Sequence, residues 1–315
     1  MAKMKKVFFL CFLFSSLLLH AGRPVLKVHK GNFKIVQFTD VHWSVGGKYE
    51  VKNDSTLLVM NAVLDAEKPD LVVFTGDVMV SKDALEGWER VLAPVELRKI
   101  PFAVTFGNHD TEADVPTTDV LAFIAKRPYN VTTNAGGGVE GVGNCVLPVR
   151  NEKGDATAWN LFLFDSHAYT NDSTLGYYDW IKKSQVDWFV AESNRSAAKN
   201  KRNVPALAFF HIPVPEYEYV RLQKNTVGNT SEKVCSPLLN SGLFFAFMQQ
   251  QNVKATFVGH DHNNDFVGSL AGIKLCYGRK TGFLSYGILE KGARVIEINE
   301  NGEMSTHIRT LHGTE

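Results

Sequence analysis

Cysteine is scarce: the 315 residues contain four, and one of these, Cys11, falls in an N-terminal apolar stretch. The other three, Cys145, Cys235 and Cys276, permit at most one internal disulfide, so the chain is no disulfide-stapled scaffold. Excess charge is also missing, with 34 basic residues against 33 acidic ones and a net charge of +1. That balance leaves no global electrostatic footprint for nucleic acid or an anionic membrane, and any attraction for an anionic ligand has to be local. No apolar run reaches the roughly 20 residues needed to span a bilayer. The stretch from Val7 to Leu19 follows Lys3, Lys5 and Lys6 and ends at Leu19-His20-Ala21, the layout of an export signal cleaved before Gly22. Residues 1–21 are accordingly read as a signal peptide and 22–315 as the mature domain, secreted or periplasmic, with no membrane span after cleavage. Repeats, linkers and low-complexity tracts are absent, which favours one domain with a full core.

What the chain does have is a repeated pairing of apolar runs with polar clusters. The runs Lys34 to Thr39, Leu71 to Thr75, Phe102 to Phe106, Ala206 to Phe210 and Ala255 to Val258 read as strands. Each leads into a potential ligand: Asp40-Val41-His42, Gly76-Asp77, Gly107-Asn108-His109-Asp110, His211, and Gly259-His260-Asp261-His262. In layered α/β proteins ligands gather outside the carboxyl ends of strands, so five clusters remote in sequence can converge. Two carboxylates, an amide oxygen and four imidazoles suit two borderline-hard metal ions better than one.

Between the runs, Ser55 to Glu67 and Ala84 to Leu97 have helical spacing, the second expected to break near Pro94. The opening third is therefore β-α-β-α-β, a parallel sheet with crossover helices. A short helix over Thr117 to Ala125 precedes Pro128. Gly136 and Gly141 have the spacing of a phosphate-cradling loop, but Val142-Gly143 stands where Lys-Ser/Thr is required, and 134–144 reads as a mobile connection. Strands over Cys145 to Val149 and Asn160 to Phe164 and a helix over Ser184 to Ala198 follow. Strand patterns at Ile273 to Tyr277, Arg294 to Ile298 and Ser305 to Thr310 predict a second sheet. The fold class is α/β: a two-sheet β-sandwich flanked by helices.

Taken singly, Asp40 and Asp77 read as turn formers or helix caps and His211 as a core histidine. The order Asp-x-His, Gly-Asp, Gly-Asn-His-Asp, His, Gly-His-x-His is another matter. It resembles the signature of the calcineurin-like metallophosphoesterases and runs here from Asp40 to His262. Further segments, among them Leu163-Phe164-Asp165-Ser166, Phe210-His211-Ile212-Pro213 and Leu275-Cys276-Tyr277-Gly278, are similar to one branch, the plant proteins labelled probable inactive purple acid phosphatases with their fungal and bacterial relatives.

The resemblance implies that Asp40, His42 and His262 bind one ion, that Asn108, His211 and His260 bind the other, and that Asp77 bridges them. It implies an exported metal-dependent phosphoric ester hydrolase, with a metal-bound hydroxide as nucleophile and a small-molecule phosphate ester, preferably a monoester, as substrate. A phosphodiesterase with the same centre, or a non-catalytic phosphate- or metal-binding protein, is the alternative. The expected cofactors are two divalent ions, Mn, Fe or Zn. Val80 stands where purple acid phosphatases have a metal-bound tyrosine, so the resemblance implies a colourless divalent centre. His109 is the expected proton donor and, with Asn108, faces the substrate; an imidazole titrates near neutrality. Tyr217, Tyr219, Tyr277 and Arg279 are candidates for the substrate mouth, since Arg grips phosphate oxygens and Tyr stacks on organic groups. Asp110 and Asp261 read as supports, and His167 has no assigned part.

Overall fold

Pairing of the apolar runs builds the sandwich in the computed structural model, which describes residues 23–315. The proposed signal peptide lies outside the described residues. β1 (Asn32–Phe38), β2 (Leu71–Thr75) and β3 (Phe102–Thr105) lie parallel, connected through α1 (Glu50–Glu67) and α2 (Ala84–Leu97). β2 and β3 are buried along their whole length, which is why they read as continuous rather than alternating apolar runs. The expected break at Pro94 does not occur. One missing N–H near the end of α2 removes one ladder bond, while Trp88, Val91, Leu92 and Val95 are buried on either side of it.

After α3 (Thr117–Ile124) the glycine-rich segment is pinned rather than free. Ala135 N–H donates to Asn144 O at 2.7 Å, and Val142 N–H donates to the Asp165 carboxylate at 2.7 Å. The second sheet then forms from β4 (Cys145–Arg150), β5 (Thr157–Leu163), β6 (Ala206–Phe209), β7 (Val253–Val258), β8 (Val267–Leu270) and β9 (Ile273–Tyr277). Its order is β4-β5-β6-β7-β9-β8, covered by α4 (Lys183–Asn200), α5 (Glu216–Arg221) and α6 (Leu243–Gln250).

The second-sheet expectation needs a correction at the end of the chain. β9 joins that sheet, but β10 (Gly292–Asn299) and β11 (Met304–Thr310) return to the first, giving the order β11-β10-β1-β2-β3. β10 runs antiparallel beside β1, with Val295 opposite Val36. Strand periodicity says which face is apolar, whereas the open edge of β1 decides the partner.

Alternation along the strands divides the core into layers. Ile35, Val73, Ala103, Leu161, Leu207, Phe257 and Ile296 fill the space between the sheets. Val36, Phe38 and Phe74 pack outward against Met60, Val63 and Trp88 of the first helix layer, and Phe162 and Ala208 against Phe189 and Phe247 of the second. Cys145, Cys235 and Cys276 are free thiols, and among the described residues no helix is long and apolar enough to cross a membrane.

Arg294 on β10 ties the layers together. Its buried guanidinium donates to the carbonyls of Tyr277, at 2.6 Å, and Asp265 on the other sheet, and to Thr306 Oγ1 at 3.1 Å. Arg294→Met keeps most of the volume and strands those carbonyls, so it is expected to lower the unfolding free energy by about 2–4 kcal/mol in a denaturant titration.

Candidate metal centre

Ligand-bearing loops leave the carboxyl ends of parallel strands in both sheets and are laced together there. Asp40 N–H donates to Gly76 O at 3.1 Å, His42 N–H to Asp77 O at 2.9 Å, and Gly259 N–H to His211 O at 3.1 Å. Gln37 Nε2 reaches across the sandwich to Val258 O at 3.0 Å. Asp40, His42, Asp77 and His260 all take positive φ, at 52°, 49°, 50° and 82°. This left-handed turn ends each strand abruptly and throws the ligand side chain inward; Asp and His tolerate it better than most residues.

Two groups result. Asp40, His42 and His262 offer ligand atoms within 4.8 Å of one another, and so do Asp77, His211 and His260. His260 and His262 thus address different groups, as a segment turning at the end of its strand allows. Asp77 Oδ2 lies between the groups, 3.1 Å from His211 Nε2 and 3.7 Å from His42 Nε2. Close approach explains two glycines: a Cβ on Gly107 would overlap Asp77, and one on Gly259 would overlap Thr39 and Asp40.

The hydrogen-bond pattern of these side chains is incomplete without a cation. His262 Nδ1 donates to Tyr286 O at 2.9 Å, because a carbonyl can only accept, and its Nε2 lies 3.1 Å from His42 Nε2 and 3.3 Å from Asp40 Oδ1. By the same reasoning His211 Nδ1 donates to Thr75 O at 2.8 Å and turns Nε2 toward the Asp77 carboxylate. Asn108 Oδ1 is buried with no hydrogen-bond partner at all, while its Nδ2 donates to the Tyr169 hydroxyl at 2.9 Å. A buried amide oxygen without a partner, set among converging carboxylates and imidazoles, fits metal ions, and the carboxylate, imidazole and amide donors match borderline divalent ones.

Electrostatics lead the same way. Burial alone would lower His211, but the charge and hydrogen bond of Asp77 outweigh it and hold the imidazole up to about 10. Burial and then the His211 charge push His260 down to about 3, and burial and then Lys280 push His42 well below its usual value. Burial opposes ionisation of Asp40 and Asp77, yet His262 and His211 respectively keep both carboxylates below their usual range. Two buried carboxylates thus draw positive charge into the site, which here is a proton on His211 beside Asp77.

Around the groups lie residues that the sequence did not single out. Lys280 is buried and donates Nζ to Asp40 O at 3.1 Å, and burial pulls it down to about 7. Tyr178 sets its ring edge-on to His260, and Tyr286 stacks on His262 at 4.1 Å. His109 alone of the motif histidines is substantially exposed, 38% of its side chain, with Nδ1 2.8 Å from Glu112 Oε2 and its N–H on Asp77 Oδ1 at 2.8 Å.

Three mouth assignments need correction. Tyr217 and Tyr277 are fully buried, their hydroxyls on Thr256 Oγ1 at 2.7 Å and Asp261 Oδ2 at 2.6 Å. Arg279 is buried in an ion pair with Asp265 and Glu315. Tyr217 and Tyr277 turn into the helix-covered core, and beside Arg279 it is Lys280 that reaches the loop of Asp40. Tyr219 is exposed on α5. Asp261 also accepts Cys235 N–H at 3.1 Å, and His167 pairs with Gln185 at 2.8 Å. Both hold loops.

Comparison with known proteins agrees with this geometry. The family description "Calcineurin-like phosphoesterase" matches residues 33–264. The chain is 35% identical over 302 residues to a protein named probable inactive purple acid phosphatase 29 of Arabidopsis thaliana, covering 86% of this chain and 78% of that one. It is 34% identical over 325 residues to phosphatase DCR2 of Saccharomyces cerevisiae, covering 91% of this chain and 55% of that one. Among solved structures, a dimetal phosphatase from Danio rerio is similar in fold, with a TM-score of 0.61 at 14% identity over 90% of this chain and 98% of that one.

Asp110 supports the centre from beneath. Its Oδ1 accepts the N–H groups of Val78 and Met79, both at 2.9 Å, and its Oδ2 accepts that of Gly107 at 2.8 Å, clamping the loop of Asp77 to that of Asn108. Asp110→Asn places an NH2 against a backbone N–H whichever way it turns. Loss of about 1–3 kcal/mol is expected in chemical unfolding of the metal-free protein, although the substitution is isosteric.

Proposed function

The chain belongs to the calcineurin-like phosphoesterases, and from that premise we propose that it is an exported enzyme hydrolysing phosphate esters, monoesters in preference to diesters, at a centre for two divalent metal ions. The observation that carries this reading is Asp77, placed between two complete ligand groups with the exposed His109 beside them. Asp40, His42 and His262 would hold one ion, Asn108, His211 and His260 the other, and Asp77 both. Mn, Fe or Zn in the divalent state suits these donors, and Val80 offers none. Such ions supply a positive field for phosphoryl oxygens and acidify water near neutral pH.

The protein's own groups do the rest. Asp77 accepts the backbone N–H of His109, which ties the carboxylate that would serve both ions to the segment carrying the proposed proton donor. Against two divalent ions, the charges of Asp40 and Asp77 leave about +2, which holds a phosphate dianion. His109 keeps its Nδ1–H on Glu112, so as the imidazolium it would give its Nε2 proton to a leaving alkoxide and be left neutral, with Nδ1 still protonated. The word "inactive" in the plant relatives' names favours a second reading, a phosphate- or metal-binding protein without turnover. The full donor set supports turnover instead. The preference for monoesters rests on relatives named phosphatases, and export rests on the layout of residues 1–21.

The test is hydrolysis of an aryl phosphate and a bis-aryl phosphate by metal-stripped protein reloaded with Mn²⁺, Zn²⁺ or Fe²⁺. Metal-dependent turnover, faster on the monoester, is expected; no turnover with any ion would leave the binding-protein reading. His109→Ala is expected to retain its metal content and lose on the order of 10²–10⁴ in kcat for alkyl phosphates, and less for an aryl phosphate whose phenol leaves unaided. Steady-state kinetics on the two substrate types, with metal analysis, measure both.

A further inference from the structure

Four side chains beside the centre form one continuous chain of hydrogen bonds: Asn108 Nδ2 to the Tyr169 hydroxyl at 2.9 Å, that hydroxyl to Glu112 Oε1, and Glu112 Oε2 to His109 Nδ1 at 2.8 Å. We infer that Glu112 is a positioning residue which, through Tyr169, fixes the direction of the Asn108 amide and, directly, the tautomer of His109. The kinetic half of this inference rests on the phosphoesterase reading; the metal-binding half rests on the donor set alone.

Polarity carries the argument. An ionised carboxylate only accepts, so both its partners have to donate to it. The single hydroxyl proton of Tyr169 is thereby committed to Glu112, and its oxygen can meet Asn108 only as an acceptor. Asn108 must then turn its NH2 outward to Tyr169, which leaves Oδ1 inward, where it is buried without a partner. A flipped amide would present N–H groups to a cation and could not ligate it. On the other arm, Glu112 requires the proton of His109 to be on Nδ1, which leaves Nε2 as the nitrogen free for proton exchange. Tyr169 is held in turn by ring contacts with Tyr177 and Tyr178 at 5.1 and 6.0 Å, and Tyr178 packs on His260. One carboxylate at the surface thus sets the orientation of a ligand amide and of a proton donor.

Three variants separate the arms: Tyr169→Phe, Glu112→Ala and Glu112→Gln. Calorimetric titration of the metal-free proteins with Mn²⁺ is expected to show affinity weakened by about 10–100-fold in Tyr169→Phe and Glu112→Ala, the usual effect of removing a group that orients a ligand. Nitrogen-15 spectra of the histidine rings report the second arm: the Nδ1–H signal of His109 is expected to persist in Tyr169→Phe and to give way to mixed tautomers in Glu112→Ala. Glu112→Gln preserves shape but has only one acceptor oxygen, so one arm reverses polarity, and either the metal affinity or the tautomer moves. With metal saturating, Glu112→Ala is expected to lower kcat on alkyl phosphates at least tenfold with KM within about twofold. Wild-type Mn²⁺ affinity together with an unchanged His109 spectrum in Glu112→Ala would overturn the inference. If the wild-type protein turned over no ester, the titration and the spectra would still decide it.

Discussion

Asp40 and Asp77 sit at 2% and 1% exposure at the end of a sandwich, where an uncompensated carboxylate costs several kcal/mol. Each is answered by backbone as well as side-chain donors: Asp40 by the His260 N–H and the Thr39 hydroxyl, Asp77 by the His109 N–H and the His211 imidazole. Much of the surrounding architecture follows from that need. Left-handed turns bring the donors inward, glycines at 107 and 259 let the loops approach, and Asp110 ties the loop of Asp77 to that of Asn108. What remains unbalanced, the Asn108 amide oxygen without a partner among crowded carboxylates and imidazoles, suits a divalent cation.

Neither sheet could build this centre alone. The first contributes Asp40, His42, Asp77 and Asn108, the second His211, His260 and His262. The spacing of the two groups is therefore set by how the sheets pack, which makes distant contacts part of the site. Gln37 to Val258, Thr105 to Phe164 and Arg294 to Tyr277 all cross between the sheets. Sliding one sheet along the other would draw these candidate ligands apart. The dry layer of Ile35, Leu161, Phe257 and Ile296 between the sheets resists such sliding, because close-packed side chains interlock.

The two candidate groups were legible in the sequence because each member follows its strand within four residues: β2 spans the run Leu71 to Thr75, and Asp77 is two residues beyond it. Local order was enough for that. It was not enough for the mouth. Tyr277 ends β9 and lies near His262 in sequence, yet period-two alternation turns its ring into the helix-covered core, and a single chain pattern does not say which face of an irregular strand end looks toward the centre. Sheet membership of β10 and β11 was equally hidden, since pairing with β1 joins residues more than two hundred positions apart. Glu112 could have been found from its spacing, three residues after His109 on a tight turn. Lys280 gives no sequence signal, as a lysine between Arg279 and Thr281 reads as a surface residue until its burial is seen.

Strain at the ligand loops bears on whether the centre works or has decayed. Four candidate ligands hold left-handed backbone, a conformation that costs of order 1–3 kcal/mol at a non-glycine residue, toward the low end for Asp and His. Summed over four positions, this is a sizeable fraction of the 5–15 kcal/mol that a domain commonly has in hand. A fold kept only for its shape gains nothing from these turns, and glycine or a relaxed loop would be more stable at each. Cation binding offsets the strain directly: at a hundred times its Kd, one ion adds about 2.7 kcal/mol to the folded state. The strained loops and the partnerless amide oxygen thus point the same way, to a centre that a bound cation would complete energetically as well as chemically.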